Sequence, residues 1–517
     1  MQRLPVGIQS FDMIREHNLV YVDKTEQIYD LVTGKMGYYF FLSRPRRFGK
    51  SLLVSTLKEL FHGNRQLFES LWIAQSDYHW QEHQVIHLDF STISSRSSEE
   101  FHNNFSWELD QIATHWNIDL SKATTTQSKF KTLVTQLAQS KKVVLLIDEY
   151  DRPLLQHVTN IALMKEIQAI MSDFYATVKA MGNKISFLFM TGVIKFSKTS
   201  VFSGMNNLID LTLSPDAATL LGYTDTEIDH CFQPHIEMIA KEQGVSIANV
   251  KDNIRHWYNG YQFSKIPQTV YNPFSVLMYL QTKDLRNYWF ETGTPTFLVN
   301  LIKAKQYNVE DLDHAEIHTD SLAAFEIETM RLIPLLLQTG YLTIKSFNTE
   351  TSNYQLGYPN EETKASFLLY FMEMITTAQT ADISNAIARL TKATNSGNLE
   401  EFFTTLKIFF ASVPYTMQLP QEKYYQSIFY VILSLVGAYV DAEVATNDGR
   451  IDCTITTPEH IYIIEFKLND NEVTALRQIE EKKYYQEFLH TGKAITLVGV
   501  SFDMEQRNIG RWIAKKM

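Results

Sequence analysis

The chain has 517 residues, of which 45% are hydrophobic and 20% charged, and its formal net charge is −11. This composition excludes a disordered chain and a protein that coats nucleic acid by bulk positive charge, although it does not exclude a local basic groove. The chain has two cysteines, no apolar stretch at its start and no run long enough to span a bilayer. We therefore expect a cytoplasmic protein of roughly three domains, with no disulfide framework and no membrane contact.

The first chemical motif follows an apolar run at residues 37–42. It consists of Arg44, Pro45, Arg46, Arg47, Phe48, Gly49, Lys50 and Ser51, and a helical pattern begins at its end. A strand, a tight loop and Gly-Lys-Ser at a helix start are typical of a P-loop, whose backbone N–H groups cradle phosphates. We expect residues 46–51 to bind ATP, with Lys50 reaching the terminal phosphates and Ser51 holding Mg²⁺. Because P-loops usually have glycine at the first position, Arg44 and Pro45 predict a phosphate nest that is weaker or built differently.

A second apolar run, at residues 141–151, ends in carboxylates, which is typical of a buried parallel strand. We expect Asp148 to hold Mg²⁺ through water and Glu149 to polarise the water that attacks ATP. Each motif alone has a structural explanation, either a helix start with a surface lysine or a solvated strand end. Together, and in this order, the two motifs predict ATP binding and ATP hydrolysis.

Further strands and a helix alternate around these motifs. Residues 85–90 and 185–192 are apolar runs typical of buried strands, and residues 160–181 have helical spacing. The alternation predicts an α/β fold with a doubly wound parallel sheet, which binds ligands beyond the carboxyl ends of its strands. Thr191 would then lie where a hydroxyl can sense the γ-phosphate, although a simple Thr-Gly turn explains the local sequence equally well.

The middle of the chain is rich in aromatic and turn residues, at 256–263, 271–275 and 288–295. Aromatic rings beside Asn-Gly and Pro favour packed turns, and base stacking is the alternative interpretation. Residues 301–415 carry no chemical motif. We interpret them as a mainly helical connector with a small core of its own.

A second candidate site lies near the carboxyl end of the chain. Asp448 and Gly449 predict a hairpin turn, which puts Asp452 early on the returning strand. In the next strand, the two-residue period puts Glu465 and Lys467 on one face. Phosphodiester hydrolysis needs oxygen ligands for Mg²⁺ and a group that assists the attacking water, and these three side chains supply both. Two strands with ordinary surface charge would explain the same residues.

A helix follows this hairpin, and after it comes a strand at residues 493–500. We expect this strand to be the last one. The arrangement resembles the core of the PD-(D/E)XK nucleases. The resemblance implies that Asp452 is the single metal-binding aspartate of that family and that Glu465 and Lys467 are its Glu-x-Lys pair. Asp452 and Glu465 would hold the metal, and Lys467 would assist the water.

Two further residues fit the same resemblance. Glu422 falls on the preceding helix, where some members carry an extra acidic residue, and Gln478 resembles the helix glutamine of exonuclease-like members. Residues 421–517 contain more acidic than basic side chains, so the region is not a basic DNA-binding module.

The whole chain resembles bacterial AAA-ATPase-like proteins that end in a PD-(D/E)XK nuclease domain, in which the Arg-Pro-Arg-Arg-Phe loop is a shared trait. The resemblance implies four parts: a P-loop domain at 1–205, an aromatic-rich helical subdomain at 206–300, the connector at 301–415 and a nuclease-like α/β domain at 416–517. Besides the two sites, it is carried by residues 21–25, 191–193, 257–261, 271–275 and 291–295.

Two functional hypotheses follow from these motifs. The first is an ATP-regulated nuclease that uses Mg²⁺, with Mn²⁺ as an alternative, and acts on nucleic acid, with DNA favoured. The second is a non-catalytic ATP-dependent switch with an inactive nuclease-like fold, and a protein-modifying hydrolase is a third interpretation. Assembly as a homo-oligomer is left open.

Overall fold

The computed structural model describes the chain except for residues 197–204, 206, 290–308, 323–330, 377–378, 413–421, 438–440, 448–449, 469, 504 and 507. It describes the backbone alone at residues 309–311, 374–375, 380, 422–427, 441–447, 450–452 and 468. The chain divides into two compact units, one of residues 1–298 and 314–360 and the other of residues 299–313 and 361–517. None of the helices described is long and apolar enough to cross a membrane.

The first unit contains a parallel sheet of five strands. In chain order these are β1 (Tyr39–Ser43), β2 (Val85–Asp89), β3 (Val143–Asp148), β4 (Ile185–Gly192) and β5 (Ile209–Asp210). Their spatial order is β2-β3-β4-β1-β5, and every neighbouring pair is parallel. The continuous apolar runs form these strands because a sheet covered on both faces buries successive side chains. The predicted doubly wound parallel sheet is thereby confirmed.

Seven helices of the first unit accompany this sheet. They are α1 (Phe11–Glu16), α2 (Thr25–Val32), α3 (Lys50–Phe61), α4 (Ser98–His115), α5 (Thr126–Leu137), α6 (Arg152–Leu155) and α7 (Ile161–Ala180). Side-chain caps fix three of their starts, since Ser97 accepts from the N–H of Glu100, Thr125 from that of Ser128 and Asn160 from that of Leu163. On one face of the sheet, α3 packs through Leu53 and its apolar neighbours into the main core.

The aromatic segment forms helices and a short strand pair. Its elements are α8 (Asp225–Gln243), α9 (Ile247–Tyr258), β6 (Tyr261–Gln262), β7 (Thr269–Val270) and α10 (Pro273–Thr282). The rings of Tyr258, Tyr261 and Tyr271 are buried. Buried rings cannot stack on bases, so these residues are packed as expected, although Tyr258 ends a helix and Tyr261 lies in a strand and neither is in a turn. Residues 291–295 lie outside the described part of the chain.

A small antiparallel sheet follows within the first unit, at a place where the sequence pattern predicted no strand. Its elements are β8 (Glu316–His318), α11 (Thr319–Leu322), α12 (Leu332–Thr339), β9 (Thr343–Asn348) and β10 (Asn353–Gly357), with strand order β8-β10-β9. The strands were missed because much of their length faces solvent, as the exposed Lys345 and Ser346 show, and so they lack a continuous apolar run.

The described part of the second unit combines five helices with a mixed sheet. Its elements are α13 (Glu361–Ile375), α14 (Thr380–Asn395), α15 (Leu399–Ala411), α16 (Glu422–Gly437), β11 (Asp441–Asn447), β12 (Arg450–Thr456), β13 (His460–Leu468), α17 (Glu472–Lys482), β14 (Ala494–Asp503) and β15 (Asn508–Lys516). The strand order is β11-β12-β13-β14-β15, and only the β13–β14 pair of this sheet is parallel.

One prediction about this sheet is wrong. The strand predicted at residues 493–500 is β14, but it is not the last strand, because β15 pairs with its outer edge. As an edge strand, β15 is largely exposed and mixes Arg511, Lys515 and Lys516 with apolar residues. Charged residues are common on sheet edges, and they removed the apolar pattern on which the prediction depended.

Candidate functional sites

The P-loop begins α3 without a side-chain cap. Gly49 is the N-cap residue of α3 with φ +88°, and no side chain accepts a hydrogen bond from the first turn. Arg47 also has a positive φ, +66°. Left-handed residues next to a helix start turn successive N–H groups toward one point, which makes an anion-binding nest. The loop therefore offers N–H groups and the positive end of the α3 dipole to phosphate.

Lys50 lies inside this loop and is only 6% exposed. Its Nζ donates to the carbonyl oxygens of Arg44, at 3.0 Å, and of Pro45, at 2.9 Å. Burial lowers the pKa of Lys50, and the nearby carboxylates of Asp148 and Glu149 act in the opposite direction. The ammonium is thus held by the loop backbone close to the acidic strand end.

Arg44 occupies the position of the usual first glycine, and its side chain is buried and contacts several parts of the fold. Its guanidinium donates to the carbonyl oxygens of Ser43, Thr212 and Ala217. It also lies 4.1 Å from the ring centre of Phe263. Burial lowers the pKa of Arg44 to about 9. Since Arg44 does not have a positive φ, this loop needs no glycine there, and its shape depends on side-chain contacts instead.

The carboxyl ends of β3 and β4 place two predicted residues side by side. Asp148 is buried, and the hydroxyl of Ser51 lies near its carboxylate. Burial raises the pKa of Asp148 to about 6, and Ser51 and Lys50 oppose that rise. Thr191 is fully buried, and within the described ranges its Oγ1 has no hydrogen-bond partner. The positive charge around the buried carboxylate of Asp148 is too small to keep its pKa at the usual value, and the hydroxyl of Thr191 lacks a partner in the described part of the chain. A cation and its bound water would interact favourably with both groups.

These groups fit magnesium in composition. Within the described ranges, no three His, Cys, Asp or Glu side chains cluster as a complete metal cage. Magnesium in nucleotide sites is usually held by one or two carboxylates together with waters and substrate phosphates. Asp148 with Ser51 meets that description.

Glu149 follows Asp148 with an unusual backbone. Its φ is +47°, a conformation that costs energy in a residue other than glycine and is found most often at functional sites. In this structure its carboxylate accepts a hydrogen bond from Arg152 at 3.0 Å. The side chain assigned to the attacking water is therefore held by an arginine on α6.

The two residues after Glu149 were missed by the sequence analysis. Asp151 is buried and accepts from the N–H groups of Val193, at 2.8 Å, and Ile194, at 2.6 Å. The hydroxyl of Tyr150 donates to the carbonyl of Ile194 at 2.6 Å. Burial raises the pKa of Asp151 to about 6. The side chains of Tyr150 and Asp151 thus hold residues 193 and 194, which follow Thr191. In the sequence, this role is indicated only by their position directly after Asp148 and Glu149.

Gly192 is required by this packing. A Cβ at residue 192 would lie 2.6 Å from Oδ1 of Asp151 and 2.6 Å from Cδ1 of Tyr150. We therefore expect Gly192→Ala to lower the free energy of unfolding of the first unit by about 1–3 kcal/mol, which is typical of overpacking. Urea unfolding followed by tryptophan fluorescence would measure it. Gly182→Ala is the matched control, because its new Cβ would be 3.5 Å from its nearest neighbour, and equal effects of the two changes would contradict the packing argument.

Aromatic side chains of the middle segment surround the P-loop. Phe48 packs against Tyr261 and Phe263, with ring centres 4.8 and 5.4 Å apart. The guanidinium of Arg47 lies 4.6 Å from the ring centre of Phe274. Arg46 and Arg47 are otherwise exposed. The family-typical loop is therefore in direct contact with the aromatic subdomain.

Trp289 makes the most specific of these contacts. Its indole N–H donates to the carbonyl oxygen of Arg46 at 3.1 Å, and its ring packs on Tyr341 with centres 5.1 Å apart. Gly340 lies so close to the loop that a Cβ there would be 2.6 Å from Pro45. Both sides of the loop backbone are thus held by residues distant in sequence.

The second site combines a strand pair with a helix. Glu465 on β13 is 1% exposed, and Lys467 donates to its Oε1 at 3.0 Å. Lys467 also donates to Oε1 of Gln478 on α17 at 2.6 Å. The other oxygen of Glu465, Oε2, is buried and has no hydrogen-bond partner among the side chains that the structure describes. An acidic oxygen that is buried and unpartnered fits a divalent cation, so this donor set is compatible with metal.

The register of β12 brings Asp452 to the same place. Asp452 pairs directly with Glu465, and residues directly opposite each other in an antiparallel pair share a face of the sheet. The side chain of Asp452 lies outside the described part, as does that of Glu422 at the start of α16. Asn447 pairs with Arg450, so β11 and β12 form a hairpin around residues 448–449, which are themselves not described.

Comparisons with known proteins agree with this geometry. Residues 5–202 match the family model of a predicted AAA-ATPase, and residues 420–512 match the model of the PD-(D/E)XK nuclease superfamily. The chain is similar to an uncharacterized protein in the vnfD 5′ region of Azotobacter chroococcum mcd 1. The two are 34% identical over 534 residues, which cover 100% of this chain and 99% of the relative. The chain belongs to the family of AAA-ATPase-like proteins that carry a carboxy-terminal domain of the PD-(D/E)XK nuclease superfamily.

Proposed function

We propose that the first unit binds ATP with Mg²⁺ and hydrolyses it. The observation that carries the proposal is the meeting, at one sheet edge, of the buried Lys50, of Asp148 with the Ser51 hydroxyl near it, and of a Thr191 hydroxyl that has no partner among the described residues. Ligands of parallel α/β sheets bind at this edge. Family membership supports the same activity.

The roles follow from the chemistry of each group. The backbone N–H groups of residues 46–51 bind phosphate, and Lys50 adds a positive charge there. Ser51 and Asp148 hold the cation, which when bound neutralises phosphate charge. Glu149 orients the attacking water after leaving Arg152, and Thr191 donates to the phosphate end of the nucleotide. A carboxylate next to a buried strand end is suited to orient water because its backbone is fixed by the sheet.

For the second unit we propose a metal-dependent nuclease that acts on DNA. Asp452 and Glu465 hold Mg²⁺ or Mn²⁺, and Lys467 stabilises charge that develops on the scissile phosphate. Support comes from the register of Asp452 opposite Glu465 and from the unpartnered Oε2 of Glu465. Gln478 keeps the ammonium of Lys467 in position through the hydrogen bond between them.

We further propose that ATP gates the nuclease through the aromatic subdomain. Residues that contact phosphate in this proposal, Arg46 and Arg47, are the ones that Trp289 and Phe274 touch. A change in the loop on nucleotide binding would therefore alter the packing of residues 206–300. Such coupling is a free energy that links the two sites, and it requires a physical contact of this kind.

Trp289→Phe tests the gate. Phenylalanine keeps the ring but cannot donate to the carbonyl oxygen of Arg46. We expect ATP hydrolysis to persist, while the ratio of DNA cleavage rates with and without ATP moves at least about fivefold toward one, the low end of allosteric coupling. Cleavage of supercoiled and linear DNA in Mg²⁺, with and without ATP, would measure this ratio.

The control is Trp107→Phe on α4, whose side chain is 58% exposed and far along the chain from the loop. It should leave the ratio unchanged. An undiminished ATP effect in Trp289→Phe would contradict the gate. If the wild type binds ATP but cuts no nucleic acid in any metal, the non-catalytic switch becomes the better description.

A further inference from the structure

A third acidic residue lies at the same sheet edge, on β2. Asp89 is the last residue of β2 and pairs directly with Asp148, the last residue of β3. Neighbouring strands in a sheet are about 4.8 Å apart, so the two backbones are one strand spacing from each other. Neither sequence motif includes Asp89.

The sheet's alternation places these residues on one face. Val85 on β2, Leu146 on β3 and Phe189 on β4 all belong to the core against α3. Because side chains alternate between faces with a period of two, Asp89, Asp148 and Thr191 continue those three rows on the same face. On β3 and β4 these polar ends follow rows that are apolar up to that point, whereas the β2 row passes through the exposed His87. The face is the one on which Ser51 begins α3.

The Asp89 carboxylate is only partly used by the protein. It is half-buried, and its Oδ1 accepts from the N–H of Ser91 at 2.8 Å. Two carboxylates in adjacent rows repel each other unless a cation lies between or beside them. The buried, unpartnered Thr191 Oγ1 in the next row is a separate indication that a ligand completes this edge.

We propose that Asp89 is a further acidic residue of the magnesium site, where it holds metal-bound water beside Asp148. This inference rests on the proposed ATP-binding function. The acidic residues at the strand ends then have different roles, because Asp148 lies beside Ser51, whereas the carboxylate of Glu149 accepts a hydrogen bond from Arg152. Magnesium keeps several of its waters in such sites, and carboxylates that hold these waters set how tightly the ion binds.

The test is the binding of a fluorescent ATP analogue across a range of Mg²⁺ concentrations. Asp89→Asn removes the charge but keeps an oxygen that can accept from the N–H of Ser91. We expect the Mg²⁺ concentration that gives half of the metal's effect to rise by about tenfold or more. Without Mg²⁺, the variant should bind the nucleotide as tightly as the wild type or more tightly, because a negative charge near the phosphates has gone. A merely structural role would weaken binding in both conditions.

The chain offers a closely matched control. Asp119, on the connection between α4 and α5, is exposed, and its Oδ1 accepts from the N–H of Ser121 at 2.8 Å, as Asp89 does from Ser91. Asp119→Asn should leave the Mg²⁺ dependence unchanged. Thermal unfolding of each variant checks the fold. If Asp89→Asn does not fold, Asp89→Ser, whose hydroxyl can also accept from the N–H of Ser91, takes its place.

The outcomes separate two failures. A wild type that binds nucleotide with a clear Mg²⁺ dependence, together with an unchanged midpoint in Asp89→Asn, overturns the role of Asp89 and leaves the proposed ATP site intact. A wild type that binds no nucleotide overturns the proposed function and this inference with it. Equal weakening with and without Mg²⁺ assigns Asp89 to the turn at Ser91 and also overturns the proposal.

Discussion

Replacement of Lys50 by alanine is expected to reduce kcat/KM for ATP hydrolysis by about 100-fold or more, the usual cost of removing one group that stabilises transferring charge. The P-loop backbone itself holds the ammonium of Lys50, through the carbonyl oxygens of Arg44 and Pro45. Alanine removes that charge from the point where phosphate binds. Steady-state hydrolysis and nucleotide binding by calorimetry would measure the change.

Lys58→Ala is the matched control for this variant. Lys58 is also on α3, but its side chain is 42% exposed and lies 3.8 Å from Glu59. Exposed ion pairs contribute little, so the control should hydrolyse ATP normally. Because Lys50 is buried and its loss leaves two carbonyl oxygens unpaired, thermal unfolding must accompany the assay. A folded Lys50→Ala protein with wild-type hydrolysis would show that the P-loop is not the ATP site.

Four of the five strands of the first sheet could be predicted because buried parallel strands are continuous apolar runs, whereas β5 is two exposed residues without such a run. Residues 143–148 illustrate this, since all six are buried. The order of the strands could not be predicted in the same way. Alternation of strands and helices indicates a parallel sheet, but it does not state that β4 lies between β1 and β3. That order decides which polar strand ends meet, and it brought Thr191 next to Asp148.

Arg44 shows a different limit. From the sequence, a positively charged residue in place of glycine suggested a weaker or altered phosphate nest. The structure explains the substitution by three carbonyl oxygens and the ring of Phe263, and all of these except the oxygen of Ser43 come from residues distant in the sequence. Buried arginine requires partners of this kind, and sequence spacing alone does not identify them.

In the second site, the sequence predicts the features that follow from the two-residue period of a strand. It does not predict those that depend on how a helix packs against the sheet. The period of two placed Glu465 and Lys467 on one face, and their contact at 3.0 Å agrees with that. The hydrogen bond from Lys467 to Gln478 requires α17 to pack against β13 with a particular helix phase. The edge strand β15 lacked an apolar pattern and was missed for that reason.

Glu465→Gln is expected to abolish metal-dependent DNA cleavage, with a loss of about 1,000-fold or more, near the upper range for removing a group that stabilises charge at a reacting centre. The substitution keeps the shape of the buried side chain and removes its charge. It leaves the ammonium of Lys467 with Gln478 but without its buried carboxylate at 3.0 Å. Cleavage of DNA with Mg²⁺ or Mn²⁺, and its loss on addition of a chelator, would measure both the activity and its dependence on metal.

Glu459→Gln is the control, because Glu459 is exposed and directly precedes the same strand, β13. Breaking a buried ion pair by removing one partner costs about 3–5 kcal/mol, so the unfolding of Glu465→Gln must be compared with that of the wild type. Asp452→Ala separates stability from chemistry, since it leaves the Glu465–Lys467 pair in place. If both Glu465→Gln and Asp452→Ala cut DNA as the wild type does, the metal-dependent chemistry does not take place at this strand pair. If Glu465→Gln and a folded Asp452→Ala protein both lose cleavage, the loss comes from the charge that is missing at the metal. The ion pair between Glu465 and Lys467, which Asp452→Ala leaves in place, then does not explain the activity by itself.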